Sequence, residues 1–312
     1  MTPIHWLLLA VGIAMVCAGL LMNSEQPSQP EPAGQVQNSI PAPDLSSAEV
    51  FRRPPSGSPA ESGTVLINGQ PYRGSLRNGR PHGQGNIIFA DGRSYNGQFQ
   101  DGKPHGLGEM HFPDSSYYKG EFNQGEIRGN GVYTSSIGDR FHGDFENGHP
   151  HGSGTLTLQN GNVYIGTVRE GVIEGRGTLT FIDGSVYTGE FLNGHMQGEG
   201  KRTWPNGNAY EGQFENDNFE GYGKAIFKDG GSYEGQFSLG KPHGEGRRRW
   251  PDGRTYRGYW EAGVRQGFGS MTFANGDRYE GDFHNDHMHG LGLCVTDGVE
   301  RSCTFLDGER LD

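Results

Sequence analysis

Residues 95 to 108, YNGQFQDGKPHGLG, decide how this chain folds. Tyr95, Gly97 and Phe99 fall at alternate positions with polar residues between them, which is the period of a strand with one face buried. Asp101-Gly102 follows, a step that supplies the positive φ of a tight hairpin turn. Gly106 and Gly108 then lead into a second strand ending near Phe112. The stretch is one antiparallel hairpin. Gly97, bare on the ring-bearing face, leaves room for rings to lie over the backbone.

Stepping outward by 23 residues repeats the unit: Tyr72, Tyr95, Tyr118, Phe141, Tyr164, Tyr187, Tyr210, Tyr233, Tyr256 and Tyr279 share one column. Every row has Gly two positions later, and Leu76, Phe99, Phe122, Phe145, Val168, Phe191, Phe214, Phe237, Trp260 and Phe283 stand four positions later. A Gly-x-Gly pair recurs from Gly83 and Gly85 to Gly290 and Gly292, and second turns such as Asp183-Gly184 and Asn206-Gly207 return the chain to the next Tyr. Each row therefore reads as two short strands.

The repeated Y-x-G-x-F-x-x-G-x-x-x-G-x-G, often with His before the third Gly, resembles the MORN repeat family across ten rows, residues 72 to 301. The resemblance implies an all-β fold: one elongated, twisted antiparallel sheet of stacked hairpins, on the order of 90 Å long for twenty strands at about 4.8 Å each. Phe305 and Gly308 continue the spacing, while Arg301 and Cys303 replace the expected Tyr and Gly, which suits a terminal cap. Asp217 and Asp286 replace a turn Gly, Ser115 replaces Gly in a second turn, and Ile127-Arg128 stands where Pro-His is usual. MORN families are associated with membrane attachment and the assembly of partner proteins, and they also serve as accessory modules on lipid kinases.

The composition agrees with strands and turns. Of 312 residues, 55 are Gly and 17 Pro, too many breakers for ordinary helical packing, and aromatics reach 11%. The net charge of -11 opposes nucleic-acid binding, which calls for a clustered basic face. The three cysteines, Cys17, Cys294 and Cys303, are too few for a disulfide framework or a zinc module.

Residues 1 to 22 end in an uncharged apolar run, Trp6 to Met22, that approaches the length of a bilayer span. It continues through Leu20, Leu21 and Met22, past the small-residue pair Val16 and Ala18, and so reads as a retained transmembrane anchor, with a cleaved signal as the alternative. Val16 precedes Cys17 where lipoprotein signals carry Gly or Ala, which argues against lipidation. Residues 23 to 63, rich in Pro, Ser, Gln and Glu, read as a disordered linker. The folded part, residues 64 to 312, is the repeat domain with its cap. A polar, slightly acidic flank with Glu25 and Glu31 fits export of that part, to the periplasm in a bacterial cell.

No arrangement reads as an active site, a metal site or a cofactor site. His82, His105, His151, His243 and His289 recur at one repeat position, which points to hydrogen bonding within the loop rather than to metal. His284, His287 and His289 near Asp286 are denser and read as turn-surface imidazoles. Every Gly-x-Gly belongs to a strand, and none opens a helix as a phosphate loop does. Only eleven residues follow the tenth row, so no catalytic domain is expected there.

Two features stand out from the repeat. Lys201, Lys224 and Arg247 share a column, with Arg202, Arg248 and Arg249 beside them, a candidate patch for an anionic ligand in a domain whose balance is otherwise acidic. Cys294 and Cys303 flank the Asp297-Gly298 turn, near enough in register for a disulfide if this part is exported. The reading that follows is a non-enzymatic, membrane-anchored scaffold presenting an aromatic-rich surface to a protein partner. Its rival is direct binding of phospholipid headgroups or glycans by the repeat surface.

Overall fold

The computed structural model describes residues 62–312. The expected anchor and nearly all of the expected linker lie outside these residues. Among the described residues there is strand and turn but no helix, hence none long and apolar enough to cross a membrane.

The architecture is a single open sheet of 23 strands. Each strand pairs antiparallel with the next in sequence, so the topology is a continuous meander, and every row contributes one hairpin. In the row from Tyr187, β12 (Val186–Leu192) and β13 (His195–Thr203) are joined at Asn193-Gly194. Both turn residues have positive φ, 51° and 83°, the geometry whose twist matches that of the flanking strands. The register slips between Gly189 and Glu190, where several residues of β13 face a single residue of β12. Gly198 absorbs that bulge at φ 64°.

The rings form the core of this one-layer structure. The nine column tyrosines are at most 1% exposed, and the Phe column lies almost as deep. The Tyr and Phe columns meet edge to face, while Phe219 stacks flat on Tyr210 at 3.8 Å. Tyr187 touches Phe191 of its own row at 5.1 Å between centroids and Phe214 of the next at 4.8 Å, and Tyr210 repeats the contact with Phe214 and Phe237. Such pairs contribute about 0.5–1.5 kcal/mol each beyond the area they bury. Each tyrosine hydroxyl is also satisfied: Tyr187 Oη donates to the Glu190 carbonyl at 2.9 Å, and Tyr164, Tyr210 and Tyr233 do the same three residues on.

This burial corrects one expectation. The repeated rings are not a surface offered to a partner; they are an internal spine that holds row to row.

The ends are capped from both directions. At the start, β1 (Ser62–Ile67) precedes the first full row and pairs with β2 (Gln70–Arg77), placing Val65 opposite Tyr72 and sealing the first ring. At the finish, β21 (His287–Thr296), β22 (Val299–Leu306) and β23 (Glu309–Arg310) carry the pattern on, with Phe305 packed edge to face on Tyr279 at 5.2 Å. Cys294 and Cys303, from β21 and β22, are joined as a disulfide with Cα atoms 5.9 Å apart.

The departures from the repeat have local causes. Four rows carry Pro at the position of Met196 and Arg265, namely Pro81, Pro104, Pro150 and Pro242, and Pro has no N–H to satisfy. Met196 and Arg265 do have one, and Asp217 and Asp286 of the following turns accept it at 2.8 and 3.0 Å. The turn Gly has been exchanged for a residue that serves the neighbouring row.

Candidate functional site

Residues of one row alternate between the ring-bearing face and a polar face, and the structure sorts the expected basic patch accordingly. Lys201, Lys224, Arg247 and Arg249 are exposed on the polar face. Arg202 and Arg248 lie on the other. The Arg202 guanidinium sits over Phe181 and Trp204 at 4.5 and 4.8 Å, and Arg248 is sandwiched between Phe227 and Trp250 at 3.8 and 5.7 Å. Arg248 is only 7% exposed, and burial pulls its pKa below the usual arginine value. Both arginines extend the spine where the other rows have uncharged residues such as Met110, Leu156, Leu179 and Met271. The six residues do not form one patch.

On the polar face Lys201 is occupied by Glu211 at 3.4 Å, and Lys224 stands opposite both Glu211 and Glu234 in register. Charge there is locally balanced as far as β16 (Ser232–Ser238).

A trough of about 1140 Å³ overlaps that edge and continues past it, spanning β15 (Asn218–Ile226), β16, β17 (Lys241–Arg249), β18 (Thr255–Glu261) and β19 (Val264–Thr272). Three rings stand in it: Tyr222, Tyr259 and Phe268, 57%, 45% and 61% exposed. Tyr222 donates to Glu234 Oε1 at 3.1 Å, which fixes one wall. Glu245 faces Tyr259 across the ladder, and Arg247 faces Arg257. A smaller recess of about 580 Å³, lined in part by Arg176, Glu199 and Lys201, continues the same face.

Sequence reasoning missed these rings. Tyr222 and Phe268 occupy the middle of the Gly-x-Gly pair, a position that is Gln84, Asn130, Ser153 or Glu199 in other rows. An aromatic at that one position was the available signal, and the stronger ring columns masked it.

Some of the histidines lie close to side-chain carboxylates. His82 and His289 face the turn carboxylates of the following row, with Nδ1 3.7 Å from Asp101 and 3.2 Å from Asp307, but neither nitrogen makes a hydrogen bond there or to the loop backbone. His284 and His289 have ring centroids 5.7 Å apart, but the Asp286 carboxylate is turned to Arg265 Nε at 3.0 Å. Among the described residues no three His, Cys, Asp or Glu side chains are grouped to hold a metal ion.

Comparison with known proteins follows the same periodicity. The pattern described as the MORN repeat matches ten consecutive stretches: residues 72–92, 95–117, 118–140, 141–163, 164–186, 187–209, 210–232, 233–253, 256–278 and 279–298. No curated protein matches the chain. Among solved structures, the TCP10 domain of Danio rerio CPAP in complex with a peptide of Danio rerio STIL is 17% identical, covers 65% of this chain and 90% of its own, and has a TM-score of 0.41. The SAS-4 (dCPAP) TCP domain of Drosophila melanogaster, in complex with a proline-rich motif of Ana2, is 11% identical, covers 64% and 90%, and has a TM-score of 0.30. Both superpose only loosely.

Proposed function

Because the chain belongs to the MORN repeat family, we propose that it is a non-enzymatic scaffold that presents the polar face of its sheet to a protein partner at a membrane. The observation that carries this reading is the trough between Tyr222 and Phe268. It is open, long and shallow, and it combines exposed rings with charges of both signs, the mixture found where extended polypeptide docks. The ring spine contributes rigidity, so a partner meets a surface already in its binding shape. Membrane attachment is supported by the uncharged run from Trp6 to Met22, and export by the acidic flank that follows it.

Direct binding of anionic headgroups or glycans is the second reading, favoured by the exposure of Lys201, Lys224, Arg247 and Arg249 on one face. Occupation of Lys201 by Glu211 weakens it.

The test places a photoreactive benzoylphenylalanine at Tyr259, or at Asn86 on the same face of a distant row, in the full chain in its native membrane. A protein adduct formed from Tyr259, absent from Asn86 and lost on Arg257→Glu supports a partner at the trough. Equal adducts from both positions, or no protein adduct, overturn it. Co-sedimentation of the chain's repeat part with anionic vesicles, abolished by Lys224→Glu with Arg247→Glu, is the outcome the second reading requires.

A further inference from the structure

At one level of the trough two like charges face each other across neighbouring strands. Across the sheet the register runs Lys224, Glu234, Arg247, Arg257, Ser270, Glu280. Arg257 thus stands between a second arginine and a serine, with no carboxylate directly opposite it on either neighbouring strand, and both guanidinium groups are exposed. Like charges directly opposite on neighbouring strands repel, and the natural remedy is an anion held between them. Beside that pair stand Tyr259 and Phe268, offering ring faces to an apolar group. The trough is therefore built for a ligand carrying a carboxylate next to compact apolar rings.

The chain carries such a ligand. Residues 27 to 32 read PSQPEP: a Pro-x-x-Pro spacing of the kind that aromatic-lined grooves recognise, followed by Glu31 between Pro30 and Pro32. We propose that residues 27–32 dock in the trough of their own chain, Glu31 at the Arg247 and Arg257 pair and the prolines against Tyr259 and Phe268. The proposal rests on the reading of the trough as a polypeptide-binding face.

Reach selects this segment from the other proline-rich stretches. From β1 to β17 is sixteen strand spacings, about 77 Å at about 4.8 Å each. The 31 residues from Glu31 to Ser62 extend about 96 Å at about 3.1 Å per residue, which is enough. The 18 residues from Asp44 to Ser62 extend only about 56 Å at the same rise, so Pro41 and Pro43 fall short, and Pro54 and Pro55 fall shorter still. The entry point is also favourable. Ser62 pairs with Ser75, which holds the same row position as Tyr259, so the chain joins the sheet at the register level of the trough. With residues 1–22 as an anchor, docking would bring the distant end of the rod to the bilayer, and a competing partner would release it.

The experiment uses the full chain with benzoylphenylalanine in place of Phe268, prepared as an equal mixture of isotopically heavy and light protein. After irradiation, mass spectrometry maps the cross-links. The proposal expects adducts on residues 23–34 within one chain, reduced at least tenfold by Glu31→Lys and by Arg247→Glu with Arg257→Glu, each checked for an unchanged β spectrum. Heavy-to-light adducts in the statistical proportion would show docking between copies and overturn it. Adducts on residues 41–59, on lipid, or on another protein alone would overturn it as well. In that last case the scaffold reading stands while the self-docking falls; adducts to residues 23–34 with no partner at Tyr259 in the native membrane would have the reverse meaning.

Discussion

Tyr187 lies over Gly189 so closely that a Cβ built on the glycine would stand 2.6 Å from the tyrosine Cζ and 2.7 Å from the Gly200 Cα. The same ring covers Gly200 on the partner strand, so one tyrosine imposes glycine at two places in each row. Gly189→Val is therefore expected to destabilise by several kcal/mol, since neither backbone nor buried ring can yield. Glu190→Gln is the comparison. Glu190 is half-exposed and paired with Arg176 at 3.2 Å, so its loss should be worth about 1 kcal/mol or less. Denaturant unfolding of both variants checks this; equal effects would refute the assignment of faces.

The end of the sheet provides the complementary case. Arg301 replaces the column tyrosine, no ring covers the position two residues on, and Cys303 is accommodated there fully buried. If the domain is exported, Cys294 and Cys303 should resist alkylation when thiols are blocked at lysis, and mass spectrometry should find them linked. Complete alkylation of both would remove the bridge from the native protein and much of the case for export.

Ser115 occupies a turn at φ 74°, where other rows use glycine. A side chain in the left-handed region costs about 1–2 kcal/mol, partly offset by glycine's greater freedom when unfolded, so Ser115→Gly should stabilise by about 0.5–1 kcal/mol. The hydrogen bond from Ser115 N to the Phe112 carbonyl at 3.0 Å needs no side chain and should persist. A fall in the thermal midpoint would contradict the strain.

Burial raises the pKa of the column tyrosines, to about 12 for Tyr164 and Tyr256. A raised value means the folded state holds its proton more tightly than the unfolded chain. The associated stability is fully present below about pH 10, the ordinary tyrosine value, and is lost as pH rises through the folded values. Phenolate absorbance should thus rise cooperatively with loss of the β spectrum in strongly alkaline solution. Smooth titration of these tyrosines near pH 10 with the sheet intact would show that the spine is not sealed.

Deleting residues 1–22 should move the chain from the carbonate-resistant membrane fraction to the soluble one, because no other stretch of the sequence is comparably long and apolar. Retention of the shortened chain in that fraction would place its membrane contact elsewhere.

The repeat, the hairpins, the turn positions and the all-β sheet were legible in the sequence by itself. They rest on requirements that each row meets alone, positive φ at Asn193-Gly194 and space beneath Tyr187, and such local requirements leave a periodic trace in residue type. What only the tertiary structure decided was which side chains share a surface. Lys201 and Arg202 are neighbours in sequence and part company because alternation along a strand sends one to the solvent and the other between Phe181 and Trp204. Tyr222, Arg247 and Phe268 come from three different rows and meet because the sheet lays those rows side by side. A surface assembled across rows has no period of its own, and strand pairing alone brings it into being.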